Sequence, residues 1–393
     1  MSERLKERAS KACVRLCVPW VRIPLFPMNT HPAWIEVDTS QFRRNLSALR
    51  RKIGNRLFCL PIKANAYGHG LCPMAKIAQE AGVDSLGVSC LKEAAALRSF
   101  GISIPILVFG AIHEDQISSL IDLDLECSIS SKYKAQLVAD QCRRLGRTCK
   151  VHLEIDTGMR RTGVRPSSAL DLLHFVDRLG CFEVAGIYSH LATSDLPFDQ
   201  NTENQIAIFR DLASQVKDRG IRFHLANSGG VAYYPGSYFD MVRPGLLSYG
   251  YFPGGETDPD GEIAPCFSLH AKISYFKVVS GGAGISYGHA YRTASQTRIV
   301  TIPIGHGDGY RRSLSQSGSV LIRGERFRIA GTICMDQFMV DIGDRDAYVG
   351  DEVVLIGKQG SKEISMWEFA RFAQSIPHEM LCAFNERIPR IYV

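Results

Sequence analysis

The chain has 393 residues, 45% of them hydrophobic and 22% charged, which is the composition of a globular enzyme with room for two domains. The formal net charge is +6, but residues 1–27 contain six basic and two acidic residues and supply +4 of it, leaving +2 for the remainder. This balance, without a clustered basic stripe, excludes a nucleic-acid-binding surface, and no apolar run reaches the ~18–20 residues of a membrane span.

The 12 cysteines are scattered along the chain, without a Cys-x-x-Cys pair or a Cys/His cluster at zinc spacing. Cys59, Cys149 and Cys334 stand in apolar strands, where a free thiol behaves as a small hydrophobic group. We therefore predict no metal site and a protein of the reducing cytoplasm.

Residues 1–27 form a separate leader. They mix basic with apolar residues, and Arg15 and Arg22 interrupt any signal-peptide core. Because neither helical nor strand periodicity is present, we interpret the segment as untranslated or disordered, with organelle targeting as the alternative. We expect order to begin at about Met28.

Residues 34–37 read as a strand, followed by a helix that starts at Thr39 or Ser40. From Leu57 short apolar runs alternate with helical stretches such as 91–100 and 131–145, which end before Gly101 and Gly146. The runs are 57–62, 85–89, 106–109, 125–129, 150–155, 182–189, 221–226 and 239–242. Eight such units predict an α/β fold with a TIM-like (β/α)₈ barrel in residues 28–251. A doubly wound open sheet is the competing interpretation, and the absence of a Gly-x-Gly-x-x-Gly turn counts against it.

The pattern changes after Tyr251, where a connection rich in glycine, proline and aspartate begins. Beyond it, apolar runs follow one another without intervening helices, at 267–279, 298–304, 319–323, 326–333, 338–342 and 352–356. We therefore predict that residues 252–393 form a mainly antiparallel β domain with one late helix from Ser365.

The most informative stretch is residues 61–70, Pro-Ile-Lys-Ala-Asn-Ala-Tyr-Gly-His-Gly. Lys63 stands where the first buried barrel strand gives way to a loop. An amine at the mouth of an apolar strand is partly desolvated, which lowers its pKa and favours Schiff-base chemistry.

Polar clusters also follow later strands: Asp156 to Arg161, Ser189-His190, Asn227 to Gly230, and Arg243-Pro244-Gly245. In a (β/α)₈ barrel the C-terminal strand ends gather on one face. A Ser/Gly turn entering a helix can present N–H groups to a phosphate. Together with Lys63, these clusters indicate one shared site for an anionic ligand.

The string Lys-Ala-Asn-Ala-Tyr-Gly-His-Gly resembles the pyridoxal-phosphate (PLP) attachment site of alanine racemases, and the similarity runs from about His31 to Val393. The resemblance implies a PLP-binding barrel followed by a β domain. It also implies an isomerase that interconverts L- and D-alanine and supplies D-alanine for peptidoglycan. The enzyme would be a head-to-tail homodimer in which each active site includes residues from the partner's β domain.

The resemblance also assigns roles by motif. Lys63 would form the internal aldimine and act as one catalytic base, and Tyr287, donated by the other subunit, would be the second. Arg161 would bond the cofactor's phenolic oxygen and contact the substrate, Arg243 would bond the ring nitrogen, and His190 would link Arg243 to Tyr287. The remaining cofactor contacts would be Tyr67, Asn227, Ser228, Gly245, Leu246 and His378, with Met335 and Asp336 near the substrate carboxylate.

These residue types suit the reaction. PLP delocalises the charge left when the Cα proton is removed, and the protein supplies one proton-transfer group on each face. An arginine at the ring nitrogen does not readily give up a proton. It would leave the pyridine unprotonated and disfavour side reactions such as transamination.

The chain departs from the family pattern at three positions. Glu154 stands where a lysine, often carbamylated, is usual, and we hypothesise that its carboxylate orients Arg161. His306 and His378 replace tyrosines of the substrate entryway and inner gate, which bears on strict alanine specificity.

The alternatives are a PLP racemase of broader or different specificity, such as serine, a non-catalytic PLP-carrying barrel protein and a PLP-dependent decarboxylase. The second domain with Tyr287 argues against the barrel protein, and the contexts of Tyr287 and Met335-Asp336 argue against the decarboxylase.

Overall fold

The computed structural model describes residues 31–216, 219–255, 258–315 and 317–393, so the predicted leader lies outside the described residues. The chain divides into two compact units. The first comprises Gln41–Ala66 and Gly70–Pro265, and the described part of the second comprises residues 31–40, Tyr67–His69 and Cys266–Val393. The described chain begins with strand β1 (Ala33–Val37) and helix α1 (Thr39–Ile53).

The first unit contains a closed barrel of eight parallel strands. In order they are β2 (Leu57–Pro61), β3 (Ser85–Val88), β4 (Ile106–Val108), β5 (Glu126–Ile129), β6 (Cys149–Glu154), β7 (Phe182–Tyr188), β8 (Arg222–His224) and β9 (Met241–Val242). The helices are α2 (Leu71–Glu80), α3 (Leu91–Ser99), α4 (Ile117–Asp122), α5 (Lys132–Leu145), α6 (Ala169–Leu179), α7 (Gln200–Gln215) and α8 (Ser228–Tyr233). Pairing of β2 with β9 closes the barrel, which confirms the predicted fold and excludes the open sheet.

Local sequence signals set the helix limits. Helix α5 begins after Ser131, whose hydroxyl accepts a hydrogen bond from the Lys134 amide at 3.1 Å. It ends at Gly146, which adopts the left-handed conformation with φ 63°. The end at Gly146 was predicted from the sequence and is confirmed, whereas the cap at Ser131 is a finding of the structure.

The second unit is built mainly from antiparallel strands. They are β10 (Phe267–Lys272), β11 (Tyr275–Val279), β12 (Gly284–Ile285), β13 (Tyr291–Arg292), β14 (Thr297–Ile302), β15 (Ser319–Ile322), β16 (Glu325–Arg328), β17 (Phe338–Asp341), β18 (Glu352–Gln359), β19 (Lys362–Ile364) and β20 (Arg390–Tyr392). One sheet has the order β16-β15-β18-β10-β1-β20 with β19 beside β18, and smaller sheets pair β11-β14-β17 and β12-β13. Helices α9 (Met366–Phe372) and α10 (Pro377–Ala383) follow β19. The first starts after Ser365, which caps it, as predicted, whereas the second was not predicted.

Two strand predictions were wrong in this unit. The run 326–333 was expected to be one strand, but β16 ends at Arg328. The run 267–279 was expected to be continuous, but it breaks at Ile273 and Ser274 into β10 and β11, which belong to different sheets. Apolar residues continue through the break, so the pattern of hydrophobicity gives no sign that the chain changes sheets there. None of the helices in the described part of the chain has the length and apolar content needed to cross a membrane.

Candidate active site

Lys63 begins an unusual turn at the C-terminal end of β2. Ala64, Asn65 and Ala66 all have left-handed backbones with φ between 53° and 56°. Such a conformation costs roughly 1–2 kcal/mol per non-glycine residue, so surrounding contacts must stabilise it. The Ala64 amide donates to Glu93 Oε1 at 2.6 Å, and the Leu71 amide donates to the Asn65 side chain at 2.8 Å. These bonds fix the turn and the position of Lys63.

Three cations of the barrel unit act on one imidazole. The pKa of His190 is lowered to about 3, mainly by burial and then by the positive charges of Arg243, Arg161 and Lys63. The four residues follow β7, β9, β6 and β2, so the barrel collects them at the C-terminal strand ends. The arrangement concentrates positive charge and suits an anionic ligand.

The neutral state of His190 predicts a pH effect on stability. Between pH 7 and pH 5 the unfolded imidazole, with an ordinary pKa of about 6.5, takes up a proton that the folded one does not. Acidification therefore favours unfolding, by up to about 2 kcal/mol from this group. In urea unfolding of the cofactor-free protein, the stability lost between pH 7 and pH 5 should be smaller in His190→Asn than in wild type by that amount. Equal losses in both proteins would contradict the assignment.

Arg243 is held by acceptors on three sides. Its Nη1 donates to His224 Nδ1 at 2.7 Å, and its Nη2 donates to the carbonyl oxygens of Ser189 at 2.7 Å and Leu225 at 3.2 Å. The guanidinium also lies over the Tyr188 ring, 5.3 Å from its centroid. A guanidinium has five N–H donors. These bonds therefore leave the Nε–H and one Nη1–H for a ligand.

The hydrogen bonds of Arg243 correct one expectation. The predicted direct link from His190 to Arg243 is not formed among the described residues, and His224 takes that place. His224 is completely buried on β8 and reads in the sequence as a core residue. Its only sequence signal is an inward position in a short strand.

Buried backbone amides lie at two neighbouring turns of the barrel unit. The Ser228 hydroxyl accepts from the Leu247 amide at 3.1 Å and so joins the start of α8 to the turn at 245–247. Gly245 and Leu246 are buried, yet neither amide donates to any group in the described part of the chain. Buried N–H groups without acceptors are rare in folded proteins. These two fit the oxygen atoms of a bound phosphate.

Asn227 has a structural role at the same turn. Its Oδ1 accepts from the Gly230 amide at 3.0 Å and from the Ser194 hydroxyl at 2.7 Å, and its Nδ2 donates to the Leu191 carbonyl at 3.3 Å. The side chain therefore caps α8 and ties it to the preceding loop.

Glu154 does not contact Arg161 as predicted. It is buried at the end of β6, and within the described residues its Oε1 accepts from the Thr162 hydroxyl at 2.6 Å. Arg161, the expected partner, directly precedes Thr162 in the same loop and is exposed. The negative charge of Glu154 also acts on Tyr188. Burial is the main cause of the raised pKa of Tyr188, and the charge of Glu154 is the next. Glu154 therefore anchors the loop that carries Arg161 rather than bonding to it.

A double-mutant cycle tests this anchor. Hydrogen bonds to charged groups contribute about 1.5–3 kcal/mol, so Thr162→Val should lower the free energy of unfolding by about that amount. The loss should be much smaller when Glu154→Gln is already present, because the charged acceptor is gone. Denaturant unfolding of the four proteins gives the coupling energy. Additive effects would show that Glu154 and Thr162 act independently.

Tyr67 and His378 form a pair in the second unit. Their ring centroids are 6.0 Å apart with the planes tilted by 52°, and His378 lies in the first turn of α10. Between Tyr67 and His69, Gly68 has φ 80°, and a Cβ there would stand 2.0 Å from the Leu381 carbonyl oxygen. The fold thus requires glycine at this position in order to bring the two predicted phosphate contacts together.

Tyr287 is presented outward from the second unit, with 70% of its surface exposed. It follows Ser286, which has φ 61° and donates from its hydroxyl to the Thr332 carbonyl at 2.5 Å. Thr332 Oγ1 in turn donates to the Tyr287 carbonyl at 3.3 Å. Tyr287 therefore lies in a fixed turn, with its phenol available to another molecule.

Met335, Asp336 and His306 lie in adjoining loops of the same unit. The His306 amide donates to the Cys334 carbonyl at 3.0 Å, and Met335 is 59% exposed. Asp336 pairs with Arg387 at 2.8 Å, and Arg387 also pairs with the buried Asp308 at 3.1 Å. Neither Arg387 nor Asp308 was predicted: Arg387 stands in no motif, and in the string 305–309 only His306 was singled out.

The described residues thus form three local groups. The barrel unit gathers Lys63, Arg161, His190 and Arg243 with the free amides of Gly245 and Leu246. The second unit holds the pair Tyr67 and His378, and separately the loops of Met335 and Asp336. A lysine amine, two arginines and backbone amides that can cradle a phosphate are groups that suit PLP.

Comparison with known proteins agrees with this chemistry. The N-terminal domain model of alanine racemase matches residues 37–253, and the C-terminal domain model matches 266–392. An alanine racemase of Symbiobacterium thermophilum is 39% identical, over 92% of this chain and 97% of that protein. The crystal structure of alanine racemase from Streptomyces lavendulae has a TM-score of 0.88 at 34% identity, covering 93% of this chain and 98% of that one. A histidine racemase from Leuconostoc mesenteroides has a TM-score of 0.86 at 30% identity, covering 93% and 99%. The chain therefore belongs to the alanine racemase family, whose members are PLP-dependent amino-acid isomerases.

Proposed function

We propose that this protein interconverts L- and D-alanine with PLP held by Lys63, and that it supplies D-alanine for peptidoglycan. The observation that carries the proposal is the set of cations at the strand ends together with the two buried amides that lack acceptors. Three positive groups and a pair of free N–H donors match a cofactor with a phosphate and a phenolic oxygen. We place the reaction in the cytoplasm, where the free thiols stay reduced.

The residues of the barrel unit fit the parts of the cofactor. Lys63 would bind it covalently, Gly245 and Leu246 would donate to the phosphate, and Arg161 would donate to the phenolic oxygen. Arg243 keeps an Nε–H and an Nη1–H after bonding to its protein acceptors, so it would donate to the ring nitrogen. PLP, when bound, withdraws electrons and makes the Cα proton of an attached amino acid removable.

Two residues would move the proton. Once the substrate's amino group has replaced Lys63 on the cofactor, the freed Lys63 amine would take the proton from Cα on one face, and a phenol would donate one on the opposite face. The roles reverse for the other enantiomer. We propose Tyr287 as this second group, acting in the partner subunit's site of a head-to-tail homodimer. Its 70% exposure in a fixed turn supports a role outside its own chain.

A broader amino-acid specificity is the second candidate. His306 and His378 stand where the family resemblance leads us to expect tyrosines, and imidazoles differ from phenols in shape and hydrogen bonding. The similarity to the Leuconostoc mesenteroides histidine racemase adds support, since that protein shares the fold over 93% of this chain. This candidate keeps the chemistry and changes only the side chain that is accepted.

One experiment separates the two candidates. The purified PLP-loaded protein is given L-alanine, L-serine or L-histidine, and the D-enantiomer is measured by chiral chromatography. We expect kcat/KM to be highest for L-alanine. His306→Tyr and His378→Tyr should lower activity on the other two amino acids more than on alanine. A higher kcat/KM for serine or histidine in wild type would establish the second candidate, and no D-enantiomer from any substrate would refute both.

A further inference from the structure

A chain of four buried polar side chains crosses the interior of the barrel. Glu126 on β5 accepts from His152 Nε2 on β6 at 3.0 Å, and His152 Nδ1 lies 2.8 Å from His224 Nε2 on β8. His224 Nδ1 then accepts from Arg243 at 2.7 Å. No member of the chain is more than 8% exposed. Polar groups buried this deeply are costly unless each donor meets an acceptor.

The groups at the two ends of this series of side chains fix the direction in which its hydrogen bonds are donated. A guanidinium can only donate, so His224 must accept at Nδ1 and carry its proton on Nε2. That proton is donated to His152 Nδ1, so the His152 proton is on Nε2. An ionised carboxylate can only accept, and Glu126 therefore completes the series. Each imidazole is neutral, and each is confined to the Nε2–H tautomer.

The surrounding residues shape this chain. A Cβ at Gly186 would stand 2.4 Å from His152 Nδ1, so glycine on β7 leaves the room that the imidazole occupies. The Tyr188 ring stacks on His224 with centroids 5.0 Å apart and planes 14° apart. The same ring lies beneath Arg243. His224 and Arg243 thus have little freedom to rotate.

The pKa shifts of His224 and Glu126 agree with these hydrogen-bond directions. Burial, followed by the charge of Arg243, lowers the pKa of His224 well below its usual range, so this imidazole is neutral. Burial opposes ionisation of Glu126, but the hydrogen bond from His152 and nearby basic groups outweigh it and lower its pKa. The chain therefore joins one anion to one cation through two neutral rings.

We propose that Glu126 is a positioning residue for Arg243, acting through His152 and His224. By accepting at the far end, it holds both imidazoles in one tautomer and keeps the His224 Nδ1 lone pair directed at the guanidinium. Arg243 then keeps its Nε–H and remaining Nη1–H directed away from the barrel interior. Orienting an imidazole through a buried carboxylate is a known function of acidic groups behind catalytic histidines. The inference rests on the proposed function, in which Arg243 meets the cofactor ring nitrogen.

The first test reads the tautomers directly. Nitrogen-15 NMR of histidine-labelled protein distinguishes a protonated from an unprotonated ring nitrogen, and His152→Gln and His224→Gln spectra assign the signals. We expect each of the two rings to carry its proton on Nε2. A neutral ring with its proton on Nδ1, at either residue, would overturn the proposal. This measurement does not depend on activity.

The second test changes the far end of the chain. Glu126→Gln keeps an acceptor oxygen and removes the charge, and Glu126→Leu removes both. At metal sites, changing the group that orients a ligating histidine typically lowers metal affinity or activity 10- to 100-fold, and we take this range as the guide here. We therefore expect kcat for L-alanine to fall about 10- to 100-fold in Glu126→Gln, and further in Glu126→Leu, with KM changed less than about threefold. The absorption maximum of the bound cofactor should shift as well. Glu183→Gln, at an exposed glutamate on β7, is the matched control and should change none of these quantities.

The outcomes separate the inference from the proposed function. If wild type racemises L-alanine and Glu126→Gln keeps kcat within twofold and an unchanged spectrum, the positioning role is refuted. If wild type racemises nothing, the proposed function fails, and the tautomer measurement still decides whether Glu126 fixes the imidazoles. If Glu126→Gln does not fold, Gly186→Ala, which displaces His152 from the middle of the chain, takes its place with the same expected loss.

Discussion

Replacing Lys63 with alanine should lower kcat for L-alanine by at least about 10⁴-fold. One proton-transfer group contributes roughly 10²–10⁴ to a rate, and Lys63 is also expected to hold the cofactor covalently. The fold should survive, since the bonds of Glu93 and Asn65 that hold the left-handed turn are kept in this variant. Chiral chromatography of the product measures the effect.

Two further variants make the Lys63 result specific. Lys63→Arg keeps a positive charge but has no amine for an imine, so it should be as inactive as the alanine variant. Lys92→Ala, at an exposed lysine in α3, should keep full activity. Activity of the Lys63→Ala protein within 100-fold of wild type would mean that another group performs the chemistry.

Subunits with different defects should complement each other. Tyr287→Phe removes the second proton-transfer group and should lower kcat by about 10²–10⁴-fold. Mixed with Lys63→Ala subunits under conditions of exchange, it should regain activity, because one site of each mixed dimer then combines both wild-type groups. Half of the dimers are mixed and half of their sites are intact, so about a quarter of wild-type activity is expected.

The control uses the double variant Lys63→Ala/Tyr287→Phe. Mixed with the lysine variant it provides no lysine, and mixed with the tyrosine variant it provides no tyrosine, so neither mixture should recover. Mass spectrometry of intact dimers verifies the exchange. Lack of recovery in mixed dimers of the two single variants would show that Tyr287 does not act across subunits.

The sequence was sufficient for the architecture because its signals are local. Each barrel strand is a short apolar run, and residues such as Ser131 and Gly146 mark helix ends by their own conformational preferences. The run 267–279 shows the limit of this approach, since two adjacent strands of similar composition joined different sheets. Which strands pair with one another depends on the packing of the whole fold, which a local pattern does not show.

The residues of the candidate site could be predicted where they stand in a sequence motif. Lys63, Arg161 and Arg243 each stand in a recognisable string, and the structure brings all three within electrostatic reach of His190. The series from Glu126 to His224 was not found, since inward residues of different strands meet according to the stagger of the barrel. Glu154 was assigned the wrong partner because Arg161 and Thr162 are adjacent in the following loop, and the sequence does not show which of the two side chains meets the carboxylate.

The most direct measurement is borohydride reduction of the PLP-loaded protein followed by peptide mass mapping. We expect an absorption band at the edge of the visible range that disappears on reduction, with the mass of the reduced cofactor on the peptide that contains Lys63. Lys63→Ala, treated in the same way, should carry no such adduct. A reduced adduct on a different lysine, or unlabelled protein that still racemises L-alanine, would contradict the account.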